Sequence, residues 1–211
     1  MSPIRPVLRG LLVATLAAGL AGCITLVPKA EPVGLYRFGA GAAPVAHAAG
    51  RPRVEVLKAA STFTRAAAGD RLLTITNDEA AYVADARWVS PASVLFDEAL
   101  GRAFEADPGP ARLIGRGEIA KADLILRLDV RAFETVYVAG PKAAPEVFVQ
   151  VRAVLNRAGD NTLVGDQIFE ARVKAGANRV GPIVAAYDEA TTSVLSSITG
   201  WVAAAGPGVA R

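Results

Sequence analysis

The chain has 211 residues, of which 23 are Lys or Arg, 20 are Asp or Glu and one is His. Its hydrophobic fraction of 52% includes 43 alanines, so that roughly a third of the chain is bulky and apolar, which is enough for the core of one globular domain. This content excludes a disordered protein. A single Cys and a single His exclude an intramolecular disulfide, a Cys/His zinc site and an iron–sulfur cluster.

Residues 1–22 have the pattern of a secretory signal peptide. Arg5 and Arg9 form a positively charged start, and an uncharged, mainly apolar stretch follows over residues 10–22. This stretch has 13 residues, whereas a helix that spans a bilayer needs about 20. Removal of the segment leaves 21 basic and 20 acidic residues, a balance that does not predict nucleic-acid binding.

The signal ends in Leu20-Ala21-Gly22-Cys23, which resembles the lipobox of bacterial lipoproteins. Small residues let the peptidase close around the backbone, and the Cys23 thiol accepts the lipid. We predict that Cys23 is the lipid attachment site and carries covalent acyl chains such as palmitate, which hold the protein at a membrane. The alternative is an ordinary signal peptide with an incidental Cys. Ile24, in place of Asp, favours the outer membrane, with inner-membrane anchoring as the alternative.

The mature chain divides by composition into a tether, a domain and a tail. Residues 23–52 are rich in Pro, Ala and Gly and form a lipidated tether, in which residues 35–38 predict a short first strand and His47 is a spacer residue. The folded domain covers residues 53–205, and residues 206–211 form the tail.

Hydrophobic periodicity predicts the elements of this domain. Strands are expected at residues 53–58, 71–76, 80–84, 112–115, 124–133, 146–155 and 163–173. Asn77-Asp78 and Gly159-Asp160-Asn161 supply turns for two hairpins. One helix begins at Ser90-Pro91, where the Ser side chain would cap it, and a longer one covers residues 181–205. The sum is an α+β single domain with a mostly antiparallel sheet and two main helices packed on one face.

The motifs of catalysis are missing from this sequence, which contains no nucleophile elbow, phosphate loop, zinc-protease motif or dinucleotide fingerprint. The acidic pairs Asp97-Glu98 and Asp188-Glu189 are expected on solvated helix surface, because adjacent helical positions do not converge on one point. We predict no enzyme, no catalytic residue, no metal and no cofactor.

Four aromatic residues have expected structural positions. Trp88 and Trp201 flank the two helices and are expected to anchor the core or its boundary. Tyr36 and Phe38 either cover an exposed sheet edge or meet a partner, and the first role is preferred.

Several segments together resemble the auxiliary lipoproteins of ABC-type transport systems, a family found with Mce-type (mammalian-cell-entry) lipid transporters of double-membraned bacteria. The matching features are the lipobox at Cys23, the strand at Tyr36, Gly69-Asp70-Arg71-Leu72-Leu73 with Ala80-Ala81-Tyr82, Arg87-Trp88-Val89-Ser90-Pro91, Ala122-Asp123-Leu124, and Ala186-Tyr187-Asp188-Glu189-Ala190 with Trp201. The chain departs from the family in having Tyr36-Arg37-Phe38 where Tyr-Thr-Leu is more common.

The resemblance implies a membrane-anchored accessory component on the periplasmic side of the outer membrane. Its partners would be an Mce-domain protein with its permease and ATPase, and its role would be to dock or complete the conduit for phospholipid or another hydrophobic substrate. The family also makes a homo-oligomer plausible. Two alternatives stay open, namely an independent periplasmic lipid-binding carrier, which requires an apolar cavity between helices and sheet, and a structural envelope or secretion-accessory lipoprotein.

Overall fold

The computed structural model of the chain describes residues 33–40 and 53–206. The predicted signal peptide with its lipobox, Cys23, most of the tether with His47, and the tail beyond Gly206 lie outside the described residues. The predictions made for these segments therefore remain predictions from sequence.

The described chain forms nine strands and two helices. In chain order they are β1 (Gly34–Tyr36), β2 (Val54–Lys58), β3 (Thr62–Phe63), β4 (Arg71–Thr76), β5 (Glu79–Trp88), α1 (Ala92–Ala106), β6 (Ala111–Leu113), β7 (Leu124–Val136), β8 (Glu146–Arg157), β9 (Leu163–Lys174) and α2 (Val180–Ala205). All nine strands belong to one sheet.

Strand β7 is the longest and organises the sheet. Along one edge it pairs antiparallel with β8 over its full length, and β8 pairs in the same way with β9. Along the other edge it pairs parallel with three short strands in succession, β2 near its start, β3 in its middle and β4 at its end. Strand β6 extends the sheet beyond β2, while β5 and then β1 extend it beyond β4.

Both helices cover one face of this sheet, hereafter the inner face. Alternate residues of the central strands point to it and are buried, which is the period-2 pattern of a strand with one solvated face. Helix α2 packs on β8 and β9 and also against α1. Its apolar stripe buries Ile183, Tyr187, Ala190, Val194 and Ile198, which confirms that helix as the sequence predicts it.

The structure confirms the α+β fold class and both hairpins. Asn77 (φ 47°) and Asp78 (φ 68°) adopt the left-handed conformation of a two-residue hairpin turn between β4 and β5. The long ladders are antiparallel, and five short parallel ladders make the sheet mixed. The pattern did not predict the two-residue strand β3, because a run so short carries no periodicity.

The predicted cap of α1 is wrong. Pro91 occupies the cap position, and no side chain there bonds to the helix start. Instead, the amide of Ala92 donates to the Gly69 carbonyl at 2.8 Å and the amide of Ser93 donates to the Ala68 carbonyl at 3.3 Å. Because the preceding turn satisfies these free donors, the helix begins without help from Ser90.

Candidate functional site

Residues 33–40, which lie within the predicted tether, are fixed to the body by their backbone and by one aromatic ring. Strand β1 lies parallel to β5 at the end of the sheet. Two residues later Phe38 is buried, with its ring centroid 5.0 Å from that of Trp88 and 5.0 Å from that of Phe133. The edge-covering role expected for this segment is what the structure shows for its backbone, while Phe38 itself is a core residue.

Gly39 then binds to both helices. Its amide donates to the Asp188 carboxylate of α2 at 2.5 Å, and its carbonyl accepts a hydrogen bond from Arg102 Nε of α1 at 2.6 Å. Its φ of +70° is in the left-handed region, and a Cβ at this position would lie 2.4 Å from the Cβ of Ala99. Only glycine fits both the conformation and the space, so this position holds the backbone after β1 against both helices.

An aromatic cluster fills the space between the sheet and the helices. Its members are Phe38, Phe63, Trp88, Phe96, Phe133 and Tyr187, with ring centroids of neighbours 4.8–6.4 Å apart. The Tyr187 hydroxyl accepts a hydrogen bond from Thr135 at 3.2 Å and donates to the Leu73 carbonyl at 3.4 Å. Complete burial raises the pKa of Tyr187 well above its usual range, so it stays neutral. Close-packed rings occupy the place where a lipid carrier would need its cavity.

A small groove lies between the helices next to Gly39. Its volume is about 220 Å³, and its walls are short side chains such as Ala99 and Ala103 of α1 and Ser196 and Thr199 of α2. Pockets that enclose a drug-sized ligand range from about 300 to 1,000 Å³. The groove is therefore smaller than a pocket for a diacyl lipid.

A larger groove of about 1090 Å³ runs between α1 and the strand β6 with the loop that follows it. Leu57 and Val94 are 44% exposed on its walls. Beside them Arg112 binds two carboxylates, Glu55 and Glu118, with its Nη2 atom 2.6 and 2.7 Å from their oxygens. The hydrogen bond from Arg112 lowers the pKa of Glu118 to about 2. This groove is an open and charged surface and not an enclosed apolar cavity.

The outer face of the sheet, which carries no helix, is covered by paired charges. Arg152 of β8 binds Asp166 of β9, and Arg131 Nε donates to Asp129 at 3.0 Å on β7. The guanidinium of Arg172 stacks 3.6 Å from the ring centroid of Phe148. The hydrogen bond from Arg152 lowers the pKa of Asp166. The pKa of Asp129 is lowered most by the hydrogen bond from the Thr62 hydroxyl and next by that from Arg131.

The acidic helix pairs do more than the sequence indicates. Glu98 and Glu189 are exposed as expected. Asp97, however, forms an ion pair with Lys58 and accepts a hydrogen bond from Ser61 at 3.2 Å, and Asp188 binds Gly39. The first acid of each pair thus ties its helix to a distant segment, and sequence spacing does not reveal such a contact.

The aromatic residues singled out from sequence take different positions. Trp88 is 2% exposed in the core, whereas Trp201 is half-buried at the boundary, with its ring centroid 5.6 Å from that of Phe169. The sequence pattern did not indicate Gly39 or Arg102 as contact residues. The available signal was Gly39 itself, a glycine directly after the strand predicted at residues 35–38.

No group of three or more His, Cys, Asp or Glu in residues 33–40 and 53–206 has the geometry to hold a metal ion. Within that same part of the chain, neither helix combines the length and apolar character needed to cross a membrane.

Solved structures show the same fold. Protein XCC0632 from Xanthomonas campestris is 24% identical, with a TM-score of 0.69 over 83% of this chain and 97% of that one. The hypothetical protein CT253 from Chlamydia trachomatis is 12% identical, with a TM-score of 0.50 over 72% of this chain and 99% of that one. None of the curated proteins matches this chain.

A family model identifies the family of this chain, which similarity of fold alone does not. The model described as the ABC-type transport auxiliary lipoprotein component matches residues 36–199, from the end of β1 almost to the end of α2. This match includes the buried Phe38, Gly39 with its bonds to both helices, all of α1 and most of α2. The chain therefore belongs to the family of ABC-type transport auxiliary lipoprotein components.

Proposed function

We propose that this protein is the docking lipoprotein of an Mce-type ABC lipid transporter. Acyl chains on Cys23 hold it on the periplasmic side of the outer membrane. Its domain contacts the Mce-domain protein that receives phospholipid or another hydrophobic substrate from an inner-membrane permease and ATPase. The family match over residues 36–199 is the observation that carries this proposal. A homo-oligomeric form of the docking component is part of the same proposal.

The geometry supports a docking role rather than an enzymatic or carrier role. The family is defined as a transport auxiliary component. The inner face of the sheet is filled by aromatic rings, and the groove beside α1 and β6 is open and lined by charged residues of both signs. Protein contacts are commonly built on such surfaces, with apolar side chains at the centre and charges at the rim.

Site-specific photocrosslinking in cells tests the docking role. A photoreactive amino acid is placed at Val94 in the larger groove, at Val89 beside β1 and at Ile168 on β9, three aliphatic positions that are 44%, 53% and 49% exposed. We expect the Mce-domain protein to crosslink at one of these surfaces and to bring its permease and ATPase with it. If acylated, folded protein captures neither the Mce-domain protein nor its permease nor its ATPase from any position, docking is contradicted and the structural envelope role is favoured.

The anchor is tested separately by Cys23→Ser. We expect an unacylated precursor that loses the mass of the lipid and leaves the outer-membrane fraction. Ser61→Ala is the control, because it changes a similarly small side chain within the domain and leaves Cys23 in place. Complete retention of the Cys23→Ser protein in the outer-membrane fraction would show that the acyl chains are not the anchor.

A further inference from the structure

Exposed aliphatic side chains and arginines lie near one another around β1, at the edge of the sheet. We call Val33, Leu35, Arg37, Arg87 and Val89 the anchor-side patch. Leu35 is 64% exposed, Val89 53% and Val33 43%, and both arginines are also exposed. A single exposed apolar side chain is ordinary on a protein surface. Three of them together with two arginines form a surface that can contact both apolar and anionic groups.

The strand register places Leu35 and Arg87 next to each other on the outer face of the sheet. Leu35 of β1 pairs with Arg87 of β5, and the amide of Val89 donates to the Tyr36 carbonyl at 2.8 Å. Successive side chains of a strand point to opposite faces. Because Trp88 points inward and is 2% exposed, its neighbours Arg87 and Val89 point outward, beside Leu35.

The charges around the patch leave arginine side chains available. Arg37 makes no ion pair with any residue that the structure describes, and Arg87 pairs with Asp70 at 2.9 Å with both side chains 46% exposed. Arg71 of β4 pairs with Arg87 in register and stacks 3.8 Å from the ring centroid of Tyr82. Asp85 of β5 is exposed as well. A guanidinium on such a surface binds phosphate oxygens well.

The length of the tether ties this patch to the lipid. Cys23 stands ten residues before Val33, so the chain between them spans about 36 Å at most. The patch begins at the end of that chain, whereas β9 lies five strands away from β1, a distance of about 24 Å at the usual strand spacing. A tethered surface also has a high effective concentration at the membrane, so even a weak affinity suffices to hold it there.

We propose that the anchor-side patch lies on the surface of the membrane that holds the acyl chains. Val33, Leu35 and Val89 enter the headgroup region, and Arg37 binds the phosphates of anionic phospholipids. This inference rests on the lipid anchor of the proposed function. It adds an orientation of the domain, in which α1, α2 and β9 do not face the bilayer. Basic and aliphatic side chains on one face are the usual composition of an interfacial membrane surface.

The chain offers a matched control on the opposite edge of the sheet. Ile168 of β9 is 49% exposed, close to the 53% of Val89, and it also points outward. Its partner across the ladder is Arg152 of β8, which already forms an ion pair with Asp166 of β9. A label at Ile168 therefore reports an equally accessible aliphatic position that the proposal keeps away from the lipid.

Fluorescence quenching by headgroup-labelled lipid tests the orientation. Cys23 is the only natural Cys and is consumed by acylation, so Leu35→Cys, Val89→Cys or Ile168→Cys provides one labelling site. The acylated full chain is reconstituted in phosphatidylethanolamine and phosphatidylglycerol vesicles that contain a headgroup nitroxide lipid. We expect quenching at Leu35 and Val89 to exceed that at Ile168 by about threefold, since a headgroup quencher acts only within the interfacial layer. Equal quenching at all three positions would overturn the proposal.

Charge-reversal variants test the contribution of Arg37 separately. Arg37→Glu should reduce quenching of a Val89 label toward the Ile168 level in vesicles with phosphatidylglycerol. Arg127→Glu, which reverses an exposed arginine on β7, should leave it unchanged. A Val89 signal that is insensitive to Arg37→Glu would overturn the assignment of Arg37 to anionic phospholipid.

Failure of the anchor and failure of the patch give different results. A protein without the acyl mass that does not float with the vesicles contradicts the anchor. An acylated protein that floats but shows equal quenching contradicts only the patch. If such a protein also crosslinks to a periplasmic partner from Val89, the patch is a protein-binding surface rather than a membrane surface.

Discussion

The two faces of the β7–β8–β9 sheet come from the same strands and have opposite chemistry. Toward the helices, alternate positions carry Leu, Val and Phe, and every side chain of β8 that points inward from Val147 to Leu155 has no exposed surface. Toward solvent, the intervening positions carry Arg152, Asp166 and their neighbours in ion pairs. The inner face stabilises the domain by burial of apolar area, while exposed ion pairs contribute little and make the outer face soluble.

This difference assigns stability to one face and leaves the other free for contacts. Residues that hold the tether, Phe38 and Gly39, belong to the inner face or to the helix surfaces above it. The anchor-side patch belongs to the outer face. Substitutions on the inner face should therefore unfold the protein, whereas outer-face substitutions should change what it contacts.

The largest effect is expected from a matched pair of phenylalanines. Phe133→Ala removes a 1% exposed ring that contacts five other aromatic residues and should lower the free energy of unfolding by about 3–5 kcal/mol. Phe148→Ala, its neighbour on the outer face beneath Arg172, should cost about 1 kcal/mol. Urea unfolding of both variants measures the difference, and equal losses would contradict the division between the faces.

Gly39→Ala is expected to come next. The left-handed φ and the 2.4 Å approach to Ala99 Cβ should together lower the free energy of unfolding by about 2–4 kcal/mol. In a double-mutant cycle, Ala99→Gly should recover part of this loss, because it removes the overlap and leaves the backbone strain. Gly200→Ala, at an exposed helix position with open space around it, should instead be neutral or slightly stabilising.

A smaller effect is expected from the buried hydroxyl. Tyr187→Phe keeps the ring and removes the bonds to Thr135 and to the Leu73 carbonyl, so the free energy of unfolding should fall by about 1 kcal/mol. Tyr137→Phe removes an exposed bond to Asn178 and should cost less. Thermal unfolding of the two variants compares them, and a larger loss for Tyr137→Phe would contradict the role of burial.

The smallest effect concerns acid and the outer face. The pKa values of Asp129 and Asp166 lie below the unfolded value of about 3.9 because hydrogen bonds favour the charged carboxylates. Their contribution is complete above about pH 5 and is lost as the pH falls through the folded pKa values. Tm should fall between pH 5 and pH 2.5. Thr62→Val, which removes the bond that lowers the pKa of Asp129 most, should make this fall slightly smaller.

Much of the fold follows from periodicity in the sequence. The alternation in residues 124–133 and 146–155 predicts both the strands and their buried sides, and the spacing of Ile183, Tyr187 and Val194 predicts the buried stripe of α2. These patterns depend only on the local repeat of 2.0 or 3.6 residues, so the sequence itself contains them. The anchor at Cys23 is likewise a prediction from a local motif.

The tertiary structure decided which distant segments meet. An alternating pattern does not say whether a neighbouring strand runs parallel or antiparallel, so the three parallel strands on one edge of β7 could not be predicted. The bond between Gly39 and Asp188 joins residues 149 positions apart. Local propensity determined the elements and their faces, because it acts over one or two turns of chain. Packing of the whole domain determined the bonds of Gly39 to both helices and the anchor-side patch. Both depend on surfaces that exist only after the sheet and helices have assembled.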